Sequence, residues 1–268
     1  MNKICVIAKN FDTTFIKRLT STLSDNCYES FNPWVDEIVP EADFYLVRTT
    51  SVYGDDRDLR VIEKLPPHKV INPLGMLKLC RTKLNQYERF PEISPRFLDL
   101  ERSSFEKAHD FFLNEFKGKG VVKPHRGQGG WGVKILQGEE FKTWWESSTD
   151  REFLLQEYIE GEEIRVFFIQ DKFFGLKRFG EKGIANHAQG GEARPFIIEE
   201  GLKASLKELI KETGAHYGAF DLIFKDRYYL LELNSVPGIE QIEEVLKVDL
   251  ISLLTSSLPS KVAIKLKL

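Results

Sequence analysis

A chain of 268 residues, 42% of them hydrophobic, is long enough to bury one large core or two modest ones, and two domains are expected. Its 38 basic and 41 acidic side chains give a net charge of −3, which supplies neither the footprint of a nucleic-acid binder nor a basic stripe for anionic membrane. Cys5, Cys27 and Cys80 are too few and too widely spaced for a disulfide framework or a zinc site. With no long apolar run or signal peptide visible, a reducing cytoplasm is the expected compartment.

KICVIA (3–8) reads as a short buried strand, and Asp12 as the N-cap of a helix running through Leu23. ADFYLVR (42–48) gives a second strand, a charged helix is expected near 55–64, and HKVINP (68–73) gives a third strand after Pro66-Pro67. Alternating strands and helices imply a small parallel sheet, closing a first domain over residues 1–74. Asn72-Pro73 then turns the chain into one helix containing Leu77, Leu79, Leu84 and Tyr87, and residues 95–117 add a strand and an amphipathic helix.

GVVKPHRGQGGWGVKIL (120–136) reads as a strand carrying Lys123, a loop with Gly127, Gly129, Gly130 and Gly132, and a second strand from Val133. Glycines let backbone amides approach phosphate oxygens closely, and Lys123 can add a point charge. The Walker and Rossmann patterns do not fit, because a strand follows the loop rather than a helix.

Residues 152–180 read as three strands. The end of the first, Gln156-Glu157-Tyr158-Ile159, offers backbone donors and acceptors to an adenine edge, with Glu163 placed to accept from ribose hydroxyls. Arg165 and Arg178 sit in apolar strands, where a guanidinium needs an anionic partner, either a structural carboxylate or a phosphoryl group. GIANHAQGGEA (183–193) is a polar loop whose Asn186 and His187 have no obvious packing role, and a helix is expected over 200–213. None of the five histidines forms a spaced metal pair or a triad, although His125 and His187 sit in loops where they can meet anionic ligands. The terminal KVAIKLKL alternates apolar and basic positions like an edge strand, and a simple strand or tail is expected there.

The centre of the chain is YGAFDLIFKDRYYLLELNSVPGIE (217–240), an apolar hairpin interrupted by Asp221, Glu232 and Asn234. With Asp226-Arg227 as a two-residue turn, Phe224 faces Tyr229 and Asp221 falls directly opposite Glu232. Like charges so placed repel, and a cation between them is the simplest compensation, so removing one carboxylate is expected to cost no stability. Asn234, two residues past Glu232, shares its face, and two carboxylates with an amide oxygen form an all-oxygen set suited to Mg2+. An ordinary charged surface hairpin is the alternative.

In this order the segments resemble the ATP-grasp superfamily, and within it the RimK-type glutamate ligases, over roughly residues 70–255. LLELNSVPGIEQIEEVLKVDL carries the most specific part, with Glu232, Asn234, Pro237 and Gly238 at matching positions. The resemblance implies an α/β (α+β) ATP-grasp fold, with a small parallel-sheet N-terminal domain over 1–74. It also implies an ATP-binding region over 75–268, made of two α+β subdomains: a lid at about 118–158 and a metal-binding core at about 159–268. ATP and two Mg2+ ions are implied, with Mn2+ as an alternative, the ions held by Asp221, Glu232 and Asn234. Lys83 and Lys123 would contact phosphates beneath the loop 127–133, and Gln156, Glu157, Tyr158, Ile159 and Glu163 the nucleoside. Arg165, Arg178 and Asn186 would hold the transferring phosphoryl group or the acceptor carboxylate.

Some positions depart from the family. Glu163 stands where the family has aspartate, and Gln189 precedes Gly190-Gly191 where the RimK-type loop has arginine, which argues against glutamate as the added amino acid. The expected reaction is ATP-dependent ligation of a small-molecule or peptide carboxylate to an amine such as an amino acid, through an acyl phosphate. The alternatives are a non-catalytic ATP-binding regulatory module and an ATP-grasp kinase acting on a small molecule. No nucleic-acid or membrane partner is expected, and assembly into a homo-oligomer is left open.

Overall fold

The computed structural model describes residues 3–23, 27–50, 55–127, 129–180 and 192–258. Four short strands open the chain: β1 (Ile4–Ile7), β2 (Tyr28–Phe31), β3 (Phe44–Val47) and β4 (Val70–Ile71), with helices α1 (Thr14–Thr22) and α2 (Arg57–Ile62) between them. They form an all-parallel sheet in the order β2-β1-β3-β4. The two central strands are buried throughout, whereas β2 is an edge strand whose YESF sequence is mostly half-exposed and polar, which is why apolar patterning did not reveal it. The cap of α1 is Thr13, whose hydroxyl accepts from the Ile16 N–H at 3.3 Å; Asp12 instead pairs with Lys17 at 3.0 Å.

The single helix expected around Leu77–Tyr87 is two, α3 (Leu74–Leu79) and α4 (Lys83–Arg89). Thr82 restarts the helix by accepting from the Asn85 N–H at 3.0 Å, and Arg81 in the break turns inward to the fully buried Asp58 at 2.7 Å. A second sheet, β5-β8-β6-β7, is antiparallel and combines β5 (Phe97–Asp99), β6 (Lys119–Pro124), β7 (Lys134–Gln137) and β8 (Phe153–Glu157). Helices α5 (Phe105–Asn114) and α6 (Glu140–Ser147) cover it with an aromatic core in which Phe112 and Phe141 stack at 4.7 Å.

The third sheet, β11-β10-β9-β12-β13, is antiparallel and contains β9 (Glu162–Ile169), β10 (Lys172–Phe179), β11 (Glu192–Phe196), β12 (Tyr217–Phe224) and β13 (Tyr228–Asn234). One face buries Ile164, Val166, Phe168, Phe220, Leu222 and Leu233 against α7 (Glu200–Thr213). The other face changes character along its length. At one end Phe167, Ile169, Leu176, Tyr217 and Ala219 pack on the parallel sheet and on α8 (Glu240–Leu246) and α9 (Leu250–Ser257). At the other end, Glu163, Arg165, Arg178, Asp221 and Glu232 occupy the same face. The terminal KVAIKLKL lies outside the described residues, and among those residues no helix is long and apolar enough to cross a membrane.

The outer edge of β13 is closed by side chains. Leu233 donates its N–H to Gln86 Oε1 at 2.6 Å and accepts from Gln86 Nε2 at 3.2 Å, so a buried amide does the work of another strand. Gln86→Leu keeps the bulk of the side chain but strands both backbone groups, and is expected to cost about 2–4 kcal/mol. Thermal unfolding checks this, and an unchanged melting temperature would mean that water satisfies the edge.

Candidate functional site

The charged end of the third sheet forms one wall of a cavity of about 480 Å³, whose other walls come from β6, the glycine-rich loop, the end of β8 and the chain after β13. Asp221 stands opposite Glu232, as the two-residue turn required, but by a different route. The loop has three residues, 225–227, so that Phe224 faces Tyr228 and Ile223 faces Tyr229; a bulge then inserts Leu231 between Leu230 and Glu232. One residue added at the turn and one inserted in the strand cancel. Without the bulge Asp221 would face Leu231, and Glu232 would point at the α7 side.

The carboxylates are compensated by protein cations. Asp221 Oδ1 accepts from Arg178 at 3.1 Å and lies 3.5 Å from Arg165, its neighbour on β9, while Oδ2 accepts from Asn234 Nδ2 at 2.9 Å. Glu232 lies 3.4 Å from Lys83 Nζ, which also donates to the Gly127 carbonyl at 3.3 Å. The Nε atoms of Arg165 and Arg178 are buried without hydrogen-bond partners, so Asp221 does not saturate either guanidinium. For Asp221 these contacts argue against the expectation that removing one carboxylate is free of cost, because two guanidiniums would lose their shared anion.

Lys123, buried, donates to the Tyr87 hydroxyl at 2.5 Å, and Tyr87 in turn reaches Gln156 Oε1 at 2.6 Å and the bulged Leu231 carbonyl at 3.2 Å. Burial, reinforced by nearby Lys83, brings the Lys123 ammonium down to about 7. Burial and Glu232 push the Tyr87 phenol well up, so it stays protonated. Cys80, which also lines the cavity, is pushed up to about 12 by burial and is no thiolate nucleophile.

Lys83, Lys123, Gly127, Gly129, Gly130, Gln156, Tyr158, Ile159, Glu163, Arg165, Arg178, Asp221, Glu232 and Asn234 all line this cavity. Gly129, Gly130 and Gly132 have φ of +67°, +72° and +78°, a region glycine enters freely, although Gly132 itself is outside the lining. Glu157 points away, pairing with Arg96 at 3.1 Å while its N–H donates to the Arg96 carbonyl. Tyr158 stacks under Lys119, whose Nζ is 3.7 Å from the ring centre. Asn186, His187 and Gln189 lie outside the described residues. His125 does not line the cavity; its ring faces Asp99 and Glu101 instead of an anionic ligand. Sequence reasoning missed Trp131, 71% exposed on the glycine loop, and Thr50 and Ser235, which also line the cavity. It also counted Tyr87 only as part of an apolar helix face.

The RimK-like ATP-grasp domain family matches residues 92–258, and the chain belongs to that family. A "Probable alpha-L-glutamate ligase" of Haemophilus influenzae (strain PittEE) is 32% identical over 145 residues, which are 52% of this chain and 46% of that protein. The chain thus spans about half the length of the curated relatives it matches. Among solved structures, D-alanine–D-alanine ligase from Bacillus anthracis complexed with ATP superposes with a TM-score of 0.68 at 19% identity, covering 96% of both chains. The ATP-grasp ligase PsnB, complexed with a precursor variant, Mg and ADP, gives a TM-score of 0.65 at 17% identity, covering 96% of this chain and 98% of that one. At these identities the two structures establish the fold, which is that of ATP-grasp ligases.

Asp221→Asn is expected to lower stability by about 2 kcal/mol in buffer without nucleotide or divalent cation, since it deprives Arg165 and Arg178 of their shared anion. A melting curve equal to wild type would show that the guanidiniums are stabilised elsewhere. For Lys123, a phosphate ligand would favour the charged ammonium, so nucleotide binding near pH 8 should take up a proton and affinity should fall as pH rises above about 7. Calorimetry in buffers of different ionisation enthalpy reads this uptake directly, and Lys123→Met should abolish it.

Proposed function

We propose that the protein is an ATP-dependent carboxylate–amine ligase that forms an amide or peptide bond. The observation that carries this reading is the convergence of Arg165, Arg178, Lys83 and Lys123 with Asp221, Glu232 and Asn234 around one cavity. Binding alone does not call for two guanidiniums at the centre of the site, whereas a phosphoryl group in transfer does. A substrate carboxylate oxygen attacks the γ-phosphorus, the bond to the β,γ-bridging oxygen breaks, and ADP leaves. An amine then attacks the acyl carbon of the resulting acyl phosphate, the C–O bond to phosphate breaks, and the amine gives up a proton.

No protein nucleophile takes part, in keeping with the protonated Cys80. Arg165 and Arg178 exchange Asp221 for phosphoryl oxygens, Lys83 and Lys123 neutralise the phosphates, and the glycine loop closes above them. Gln156, Tyr158, Ile159 and Glu163 receive the nucleoside, and Asn186 completes the acceptor site. The all-oxygen donors Asp221, Glu232 and Asn234 suit two Mg2+ ions, or Mn2+ in their place. Bound there, the ions would screen the charge of the triphosphate. Residues 1–74 act as the N-terminal domain, about 118–158 as the lid, which shares its sheet with β5, and about 159–268 as the core. The compartment proposed for it is a reducing cytoplasm.

Hydroxylamine tests the reading, because it intercepts acyl phosphates. With ATP, Mg2+ and a panel of amino acids, short peptides and other carboxylates, the right carboxylate should yield a hydroxamate together with ADP. A stable phosphate ester without hydroxamate would make the protein a kinase, and neither product would make it a binding module. In the full reaction, glutamate should serve no better than neutral amino acids as the amine, given Gln189.

A further inference from the structure

Outside the cavity, at the base of the glycine-rich loop, His125 lies between two carboxylates. Its Nε2 is 3.1 Å from Asp99 Oδ1 and its Nδ1 is 3.9 Å from Glu101 Oε2. One donor atom from each of the three residues falls within 4.8 Å of the others. His125 is 5% exposed and Asp99 9%, whereas Glu101 is open to solvent. The contact between His125 and Asp99 is not a hydrogen bond: Nε2 is completely buried and has no hydrogen-bond partner, and Asp99 Oδ2 is likewise unsatisfied. At 3.1 Å the two atoms are close enough, so it is the alignment that fails.

Two atoms that coordinate one ion at about 2.1 Å stand about 3.0 Å apart at right angles and about 3.4 Å apart at the tetrahedral angle, with neither aimed at the other. That is the relation observed. Two of the three donors also stand on backbone that is held in place. The His125 backbone is held on both sides, its N–H donating to the Glu152 carbonyl at 2.8 Å and its carbonyl accepting from the Lys83 backbone N–H at 2.9 Å. Asp99 is fixed by the turn it caps, accepting from the Glu101 N–H at 3.1 Å and, at its carbonyl, from Ser103 Oγ at 2.7 Å.

We propose that Asp99, Glu101 and His125 form a second cation site, independent of the nucleotide reading, that takes a first-row transition dication such as Zn2+ or Co2+. An imidazole nitrogen with two carboxylate oxygens selects these ions over Mg2+ and Ca2+, which prefer oxygen alone. Glu101 swings in from solvent as the third ligand, and water completes the shell. Among the described residues the competing cation is Arg102, whose Nε is 3.2 Å from Asp99 Oδ2; it is mostly exposed and also bound to Glu88 at 3.0 Å, so it can withdraw. The ion would pin the β5–α5 turn to the base of the glycine loop. Through the His125 carbonyl it would also fix the start of α4, which carries Lys83.

Co2+ is the probe, titrated into the chelator-treated full chain in excess Mg2+ and read by its visible absorption and by equilibrium dialysis. One equivalent should bind, be displaced by Zn2+, and persist in Asp221→Asn. His125→Gln should lose it, Glu101→Ala should weaken it about tenfold or more, and Arg102→Ala should tighten it by removing the competitor. Glu101 and Arg102 are exposed, so their variants decide the matter even if His125→Gln does not fold. Co2+ binding indifferent to Glu101→Ala and Arg102→Ala, retained in a folded His125→Gln, or lost in Asp221→Asn would overturn the proposal.

Discussion

Two carboxylates facing each other across a β-ladder, in a sheet that is otherwise apolar, are the constraint on which this structure depends. Asp221 and Glu232 repel, and their strands would separate or the residues would protonate were the charge not answered nearby. It is answered from three directions: Arg165 on the neighbouring strand, Arg178 one strand beyond, and Lys83 from the start of α4. Each of these cations is held by a different segment. The charged wall therefore forms only when the third sheet and the helix before the second sheet are both in place, which couples the site to the tertiary fold rather than to any one element.

The register of that ladder is itself a tertiary product. The three-residue loop alone would set Asp221 against Leu231, and the bulge at Leu231 restores the carboxylate pair. The bulge leaves a carbonyl unpaired, which Tyr87 covers, while Gln86 on the adjacent position of the same helix satisfies Leu233. One short helix thus closes the strand edge and, through Tyr87, also anchors Lys123 and Gln156. Edge protection and site construction are the same set of hydrogen bonds, so neither can be altered without the other.

What could be read from the sequence follows from this. Helix α7 was legible to the residue because it is long, amphipathic and stopped by Gly214, whose φ of +66° makes the left-handed cap. The buried strands β1 and β3 were legible as apolar runs, and Asp221, Glu232, Arg165 and Arg178 stood out as charges interrupting such runs. Gln86 and Tyr87 did not, because they act on residues 144 to 147 positions away and nothing local marks a helix amide that completes a strand. The half-exposed β2 and the Thr82 restart were hidden for the opposite reason, being local features weaker than the apolar pattern around them. The three-residue turn escaped notice because the bulge compensated for it.

The cavity also holds a second like-charge pair, Lys83 and Lys123, of opposite sign to the first. Among the described residues Lys123 receives no carboxylate within ion-pair distance; it has a neutral phenol, and its pKa of about 7 records the cost of charging it there. Had each lysine been matched with its own acid, the wall would be electrostatically saturated, and an incoming polyanion would have to break pairs before gaining any. Left without an acid of its own, Lys123 holds its attraction in reserve, as do the incompletely satisfied guanidiniums. The folding core, through the stacked Phe168 and Phe220 and the apolar half of the same sheet, carries the cost of keeping them so. Under the proposed function that reserve is released when a triphosphate with its divalent cations enters, because the anion meets the lysines and arginines while the cations meet Asp221, Glu232 and Asn234. Charge of both signs, prepaired across one wall but not neutralised within it, is the arrangement that electrostatic preorganisation requires.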